Sequence, residues 1–154
     1  PLQDGSTVSL HGVTVRAFSA AHPEHVLEPS DPRMALGYQL DFGGFTVLHL
    51  GDTYLTEQLY QMLQSLPCPD LLLAPINGQD FFRTRRNCIG NLEAEEAAQL
   101  AVQLHADCTI PTHYDMVQGN TVDPLRFVAA LHQLDPAVRF ALPALGERLI
   151  FQKG

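Results

Sequence analysis

The feature that most constrains the fold is an alternation of short apolar strands and amphipathic helices in the middle of the chain. Apolar runs at residues 45–50, 70–75 and 106–112 predict buried strands. The apolar residues between them recur at helical spacing: Leu55, Leu59, Met62, Leu63 and Leu66 in the first helix, and Ala97, Leu100, Ala101 and Leu104 in the second. Strands joined by helices run parallel, through right-handed crossovers. The pattern therefore predicts an α/β fold in which these strands end at one edge of a sheet.

Antiparallel β-structure is predicted before this unit. Residues 7–10 and 13–18 alternate polar and apolar side chains about a turn, and Gly43-Gly44 predicts a two-residue hairpin between strands 35–42 and 45–50. The segment between these two strand pairs contains Pro23, Pro29 and Pro32, and it is expected to be an irregular, exposed loop.

The remainder of the chain is expected to complete the sheet. Asp123 and Pro124 start a third helix, and strands at 138–142 and 148–151 end the chain. The apolar face of that helix is formed by Phe127, Ala130, Leu131 and Leu134. We expect one domain over residues 1–154, with an antiparallel β-meander followed by strand-helix-strand-helix-strand, a helix and the terminal strands.

The helix starts offer ordinary structural roles for several polar residues. Asp52 and Thr53 directly follow strand 45–50, and either one would be a usual N-cap for the next helix. Asn91 is expected to cap the helix that follows the second strand. The first turn of that helix contains three acidic residues, Glu93, Glu95 and Glu96. Negative charges are favourable there because the N-terminus is the positive end of the helix dipole.

Charge and cysteine content exclude several function classes. A formal net charge of −8 leaves no basic surface for a nucleic acid or an anionic membrane, whereas a small-molecule substrate is compatible with it. The three cysteines lack Cys-x-x-Cys spacing, which argues against a disulfide framework and favours a reducing compartment. No apolar run approaches transmembrane length and no signal pattern opens the chain, so a cytoplasmic protein is expected. The chain begins at Pro1 rather than Met, which indicates a trimmed chain or a piece of a longer one.

Side chains that ligate metals follow the predicted strands. Asp52 follows the strand at 45–50, the turn at 77–80 follows the strand at 70–75, and His113 follows the strand at 106–112. His22 lies just past an earlier strand. Because parallel strands share an end, these positions are expected at one edge of the sheet. A carboxylate and two imidazoles are ligands that Zn²⁺, Mn²⁺ or Fe²⁺ accept. The histidines other than His22, His25 and His113 are interpreted as surface or hydrogen-bonded residues: His11, His49, His105 and His132.

Three motifs carry a family resemblance: Ala20-Ala-His22-Pro, His49-Leu-Gly-Asp52-Thr53 and Ile110-Pro-Thr-His113-Tyr-Asp115. In this order and spacing they resemble the second half of the metallo-β-lactamase superfamily, and more narrowly its branch of L-ascorbate-6-phosphate lactonase-like hydrolases. The resemblance extends over nearly the whole chain. Members of the superfamily have an αββα sandwich with two metal ions between the sheet edges, so the resemblance implies that residues 1–154 form the C-terminal half of such a sandwich.

The resemblance also implies roles for individual residues. His22 would bind the first metal ion, Asp52 would bridge the two and His113 would bind the second, with Zn²⁺ or Mn²⁺ as the expected ions and Fe²⁺ as a further candidate. His25, in the same loop, competes with His22 for the first position. Asp52 and His113 would then be the catalytic residues of this half.

One motif of the superfamily is absent from this sequence. Family members supply further ligands from a His-x-His-x-Asp-His motif in the first half of the fold, and this chain contains only the His-x-x-His of His22 and His25. We therefore expect a fragment that is inactive alone and needs the N-terminal half of the fold, or another chain that supplies it. One face of its sheet should be an apolar surface that packs on the missing sheet. The oligomeric state is left open, homo-oligomers included.

The completed enzyme is expected to use a metal-bridged hydroxide to cleave a lactone or phosphate ester of a small, sugar-phosphate-like substrate. Weaker candidates for substrate binding are Gln79, Asp80, Arg83, Arg86 and Tyr114. Guanidinium pairs bidentately with phosphate, but the arginines, which lie in a predicted loop at 81–90, could equally be solvated or balance the acidic turn, and Tyr114 could be a packing residue. A metal-free binding or interaction module and a phosphodiesterase of the same superfamily are the alternative functions.

Overall fold

A computed structural model describes residues 2–22, 35–86 and 90–152. Within these ranges seven strands form one sheet whose strand order follows the chain: β1 (Thr7–Leu10), β2 (Val13–Ser19), β3 (Leu36–Asp41), β4 (Thr46–His49), β5 (Leu71–Pro75), β6 (Cys108–Thr112) and β7 (Arg139–Phe140). The described helices are α1 (Glu57–Gln64), α2 (Phe81–Arg85), α3 (Ala94–Gln103) and α4 (Leu125–Leu134). The predicted α/β class is confirmed. None of the helices in the described part of the chain has the length and apolar character needed to cross a membrane.

The first four strands form the predicted antiparallel meander. The hairpin between β3 and β4 turns on Gly43 and Gly44, whose φ angles are 78° and 114°. Glycine adopts such positive φ angles without steric cost. The Phe42 N–H donates to the Phe45 carbonyl at 2.9 Å and closes the turn. The predicted proline-rich loop falls largely at 23–34, outside the described residues.

The strands from β4 to β7 are parallel, and Leu48, Leu72 and Thr109 lie side by side in neighbouring strands. Strand β2 runs in the same direction as β4, because both are antiparallel to β3. The carboxyl ends of β2, β4, β5 and β6 therefore lie at one edge of the sheet. This is the shared edge that the strand-helix alternation predicts.

The hydrophobic core lies between the helices and one face of the sheet. Because β4 to β7 follow one another along the sheet, right-handed crossovers place α1, α3 and α4 on the same side. Leu48 and Leu72 are 2% and 0% exposed on that side. They pack with apolar residues of the three helices, among them Leu59, Leu63, Ala97, Leu100, Phe127 and Leu131.

The opposite face of the sheet is also apolar. One row of side chains across β4, β5 and β6 consists of Val47, Leu71 and Cys108. The next row consists of His49, Leu73 and Ile110. Leu71 and Cys108 are buried, whereas Val47, Leu73 and Ile110 remain partly exposed. We refer to these two rows as the helix-free face.

Several predicted elements differ from the structure. Residues 81–85 form α2 rather than a loop, because the Asp80 carboxylate accepts the Arg83 N–H and caps a short helix. Residues 148–151 form no strand, and the ring of Phe151 instead lies 6.4 Å from that of Phe45. Strand 138–142 is reduced to β7. Leu134, predicted on the apolar face of α4, is 48% exposed.

The predicted caps of two helices are also wrong. Thr56 caps α1, with its hydroxyl accepting the Leu59 N–H at 3.1 Å, so neither Asp52 nor Thr53 has that role. Glu93, not Asn91, occupies the N-cap position of α3, where it forms a capping box with Glu96. Asp52, Thr53 and Asn91 are therefore available for other contacts at the sheet edge.

Candidate metal centre

Asp52 is presented at the sheet edge by a turn that requires glycine. Gly51 has a φ of 70°, and a Cβ at this position would lie 2.3 Å from the Leu36 carbonyl oxygen. Only a residue without a side chain can make this turn while β4 stays paired with β3. The carboxylate of Asp52 is thereby set at the end of β4, with its side chain 49% exposed.

His113 meets Asp52 across the end of β5. Its Nδ1 lies 3.0 Å from Asp52 Oδ1, and its side chain is 25% exposed. His113 has a φ of 61°, a left-handed conformation that is uncommon for residues other than glycine. Such a conformation costs on the order of 1–3 kcal/mol and is held by its surroundings. The chain thus bends sharply after β6 and directs this imidazole to the carboxylate.

The two side chains shift each other's protonation. The hydrogen bond from His113 holds the pKa of Asp52 below its usual value, against the opposing effect of burial. The charges of His113 and His22 and a hydrogen bond from Asn91 lower the pKa of Asp52 further. The same pairing raises the pKa of His113, although burial works against it. Asp52 is therefore anionic at neutral pH, next to an imidazole that is more basic than usual.

Thr53 connects the Asp52 turn to the segment that carries His22. The side chain of Thr53 is buried, and its hydroxyl accepts the Ala21 N–H at 2.8 Å. The Tyr54 N–H donates to the Ala21 carbonyl, also at 2.8 Å. The residue before His22 is thus held on both its N–H and its carbonyl by the residues after Asp52. This clamp fixes the residue before His22, and the charge of His22 is one of the effects that lower the pKa of Asp52.

His49 lies on the helix-free face, in a row with Tyr38 and Leu73. Its Nδ1 accepts the Gly51 N–H at 3.0 Å, so the neutral imidazole carries its proton on Nε2. Burial, followed by the charge of His113, lowers the pKa of His49. The predicted interpretation of His49 as a hydrogen-bonded residue agrees with these contacts.

Two buried asparagines lie at this edge, and the sequence indicates only Asn77 there, as part of the turn at 77–80. Asn91 is 4% and Asn77 5% exposed, and Asn91 Nδ2 donates to Asn77 Oδ1 at 2.8 Å. Asn77 follows β5 and Asn91 precedes α3, so the pair joins two loops of the edge. The position of Asn77 immediately after a buried strand was the available signal.

The predicted substrate residues have different surroundings. Arg83 is engaged with the Asp80 carboxylate, the Asn77 carbonyl and, at 2.7 Å, Asn120 Oδ1. It does not balance the acidic turn of α3, where Glu95 pairs with Arg126 at 2.9 Å. Arg86 is exposed and donates from Nε to the Phe82 carbonyl at 3.2 Å. Arg85 lies over the Phe81 ring, 5.7 Å from its centroid.

Gln79 and Tyr114 have structural contacts of their own. Gln79 is exposed, and its backbone N–H donates to Glu93 Oε1 at 3.0 Å. Tyr114 is partly buried and packs against the hydrophobic core, which agrees with the packing alternative. His25 lies outside the described residues.

The donor chemistry at this edge fits a divalent metal ion, but the ligand set is incomplete. A carboxylate and imidazoles are suitable donors for Zn²⁺, Mn²⁺ and Fe²⁺. Within residues 2–22, 35–86 and 90–152, however, no three His, Cys, Asp or Glu side chains are disposed to hold a metal ion. The described residues thus supply ligands of the right kind without forming a complete site by themselves.

Comparison with known proteins points to one family. A family model described as "Beta-lactamase superfamily domain" matches residues 1–114. The chain is 27% identical over 149 residues to a UPF0173 metal-dependent hydrolase of Methanosphaerula palustris, covering 94% of this chain and 63% of that protein. It is 28% identical over 153 residues to a UPF0173 metal-dependent hydrolase of Methanoculleus marisnigri, covering 97% of this chain and 62% of that protein.

A solved structure has the same fold. The structure of Igni18, described as a novel metallo hydrolase from Ignicoccus hospitalis, matches with a TM-score of 0.76 at 21% identity, covering 99% of this chain and 60% of that one. The present chain therefore spans less than two thirds of the length of these relatives.

Proposed function

This chain belongs to the metallo-β-lactamase superfamily, and from that membership we propose that it supplies part of the metal centre of a metal-dependent hydrolase. In this proposal His22 would hold the first of two metal ions, Asp52 would be a ligand of both and His113 would hold the second. The observation that carries it is the 3.0 Å contact between Asp52 and His113 at the sheet edge. The charge of His22 also lowers the pKa of Asp52, although residues 2–22, 35–86 and 90–152 contain no three side chains placed to hold one metal ion.

The protonation of these residues suits cation binding. Asp52 is a carboxylate throughout the neutral range because its pKa is lowered. His113 Nδ1 faces Asp52, so both groups would have to give up the proton that they share before they could serve as ligands of a divalent ion. Divalent ions, when bound, supply Lewis acidity and an activated water whose pKa falls to about 7. The residues of this chain hold and orient that site.

We propose a small ester as the substrate, either a lactone or a phosphate ester of a sugar-phosphate-like molecule. Support comes from the resemblance of the motifs at His22, Asp52 and His113 to the lactonase-like branch of the superfamily. Among the arginines, Arg86 is the better candidate for a phosphate contact, because it is exposed whereas Arg83 is engaged with Asp80, Asn77 and Asn120. A phosphodiesterase of the same superfamily would use the same residues with a different pocket.

The helix-free face supports the proposal that a second half completes the enzyme. Its partly exposed residues Val47, Leu73 and Ile110 offer an apolar sheet surface, and sheets of this kind pack face to face at a spacing of about 10 Å. The partner would be the N-terminal half of the same fold, or another chain that carries the His-x-His-x-Asp-His motif. Because His49 and Tyr38 lie on the same face, they would lie in this interface.

Metal analysis of the chain tests the proposal. The chain is measured alone and mixed with a polypeptide that carries the missing motif, both after dialysis against Zn²⁺ or Mn²⁺. We expect metal to bind tightly only in the mixture, and ester hydrolysis to accompany it. Tight pairing of the two polypeptides without bound metal would refute the hydrolase and favour the second candidate function, a metal-free interaction module. That candidate is favoured by the lack of a three-ligand group within the described residues.

A matched pair of variants separates the metal site from general damage. His113→Ala removes a proposed ligand, and His132→Ala removes an exposed histidine of α4. We expect the first to lower metal binding and the second to leave it unchanged. Equal loss in both variants would point to a change of fold rather than of ligand.

A further inference from the structure

The helix-free face carries two polar side chains in a surface that is otherwise apolar. Its first row continues from β4 onto β3, β2 and β1 with apolar residues alone: Leu40, Val15 and Val8. Its second row, which lies nearer to Asp52, continues with Tyr38 and Ala17. His49 and Tyr38 therefore lie side by side in β4 and β3. A sheet surface that packs on a second sheet is usually apolar, so the presence of these two side chains requires an explanation.

One nitrogen of the His49 ring holds the turn that presents Asp52. Its Nδ1 accepts the Gly51 N–H at 3.0 Å, and Gly51 is the residue whose φ of 70° forms this turn. Asn, Asp and Ser side chains commonly accept a backbone N–H two residues further along the chain. Any of these would be sufficient if the contact with Gly51 were the only requirement. An imidazole differs from them because it has a second nitrogen on the far side of the ring.

The second nitrogen of His49 is a hydrogen-bond donor. Because Nδ1 accepts, the neutral ring carries its proton on Nε2. A metal-binding histidine has a different arrangement, since one nitrogen binds the metal ion and the other donates its N–H. Within the described part of the chain, the hydrogen bonds include none for His49 Nε2 and none for the Tyr38 hydroxyl. Both side chains are partly exposed, so water can be their partner in this chain.

A second sheet on this face would separate the N–H of His49 from water. A donor that is buried without an acceptor costs free energy comparable to that of a lost hydrogen bond, so the covering sheet needs an acceptor opposite His49. The relatives of this chain have the length for such a sheet. The chain covers 63% of the Methanosphaerula palustris hydrolase and 60% of the Igni18 structure, so more than a third of each has no counterpart here.

We propose that His49 links the packing of a second sheet to the turn that presents Asp52. Nδ1 positions the turn through Gly51, and the Nε2–H donates to an oxygen acceptor on the sheet of the polypeptide that carries the His-x-His-x-Asp-His motif. This occupant rests on the proposed function, whereas the protonation of His49 and its contact with Gly51 do not. Docking of the second sheet and the geometry of the metal edge thus depend on one imidazole.

The first experiment uses the metal-free chain, so that it is independent of the proposed function. Nuclear magnetic resonance identifies the protonated ring nitrogen of His49 from long-range proton–nitrogen correlations at about pH 8, where an imidazole of ordinary pKa, about 6.5, is neutral. The signals of His49 are those that disappear in His49→Asn. We expect the proton on Nε2. A proton on Nδ1 would overturn the proposal, because that nitrogen could not then accept the Gly51 N–H.

The second experiment separates the two nitrogens with two variants. His49→Asn keeps an oxygen that can accept the Gly51 N–H and removes the outer donor. His49→Gln places an amide N–H near the position of Nε2 and removes the nearby acceptor. His132→Asn is the matched control, because His132 is an exposed histidine of α4. Each chain is measured for its affinity for the motif-bearing polypeptide and for the hydrogen-exchange rate of the Gly51 amide.

The two variants should have opposite effects on these quantities. Loss of a single hydrogen bond corresponds to a change of about 2- to 10-fold in either one. We expect His49→Asn to weaken pairing by such a factor and to leave the exchange of Gly51 unchanged. We expect His49→Gln to speed the exchange of Gly51 and to keep most of the pairing affinity. His132→Asn should change neither quantity.

Each part of the proposal can fail separately. Unchanged pairing in His49→Asn would refute the contact with the second sheet, and unchanged Gly51 exchange in His49→Gln would refute the hold on the turn. Self-association of the chain that is weakened in His49→Asn would overturn the assignment by giving this face to a second copy. If the unsubstituted chain does not pair with the motif-bearing polypeptide, the proposed function fails, and the exchange of Gly51 still tests the hold on the turn. If a variant does not fold, the protonated nitrogen of His49 in the unsubstituted chain is the deciding measurement.

Discussion

The Nδ1 atom of His113 lies 3.0 Å from Oδ1 of Asp52, although the two residues follow strands that are separated by β5. Contact at this distance requires the sharp turn at Gly51 on one side and the left-handed backbone of His113 on the other. Two unusual conformations thus converge on one hydrogen bond. Backbone conformations of this kind cluster at functional sites.

The protonation of His113 in the metal-free chain follows from this contact. We expect its pKa to lie above the ordinary value of 6.5, because Asp52 stabilises the charged imidazole. In Asp52→Asn the pKa should fall below that of the unsubstituted chain, since burial then acts unopposed. Titration of the imidazole resonances by nuclear magnetic resonance measures both values. An equal or higher pKa in Asp52→Asn would contradict the pairing.

The same pair makes the stability of the metal-free chain depend on pH. His113 has a raised pKa in the folded chain, so its contribution to stability is complete below pH 6.5. That contribution is lost as the pH rises through the pKa of His113 in the folded chain. Asp52 has a lowered pKa in the folded chain, so its contribution to stability is present above pH 3.8. That contribution is lost as the pH falls through the pKa of Asp52 in the folded chain. The pair should therefore stabilise the fold most between these two limits. Urea unfolding of the unsubstituted chain and of Asp52→Asn across this range should show their largest difference there.

The clamp formed by Thr53 should contribute measurably to stability. Thr53→Val keeps the shape of the side chain but leaves the partly buried Ala21 N–H without its acceptor, at a cost of about 1 kcal/mol or more. Thr53→Ser keeps the hydroxyl and should lose much less. The free energy of unfolding in urea distinguishes the two variants. Equal losses in both would show that the methyl group of Thr53, not its hydroxyl, matters.

Gly51 should not tolerate a side chain. In Gly51→Ala the left-handed conformation alone costs about 1–2 kcal/mol, and the contact with the Leu36 carbonyl adds to that cost. Gly146→Ala is the matched control, because Gly146 has a φ of 78° and no neighbouring atom within 4 Å of an added Cβ. We expect Gly51→Ala to be clearly the less stable of the two in thermal unfolding. Equal destabilisation would rule out a steric role for the Leu36 contact.

The strands and the shared edge could be predicted because they depend on local periodicity and on the handedness of crossovers. The contact of Asp52 with His113 follows from that topology, since both residues come directly after parallel strands. Residues 148–151 have an apolar pattern, but no strand in the described part of the chain pairs with them. A strand needs a partner, which its own sequence does not specify.

The contact of Asn91 with Asn77 was missed for a different reason. Asparagine is a common helix cap, and Asn91 stands just before a helix, so the local pattern indicated a cap. Glu93 and Glu96 provide the capping box instead, and Asn91 donates to Asn77, 14 residues away in the chain. Short helices such as α2 are similarly hidden, because five residues are too few to establish a helical period.

The most direct test of the shared role of Asp52 is the metal content of the complex between this chain and a polypeptide with the His-x-His-x-Asp-His motif. Asp52→Ala is compared with Asp115→Ala, which removes an exposed carboxylate near His113. We expect both variants to fold, because Asp52 does not cap α1. We expect two metal ions per complex in Asp115→Ala and fewer than two, with no hydrolysis, in Asp52→Ala. Full metal content and activity in Asp52→Ala would contradict the role assigned to this carboxylate.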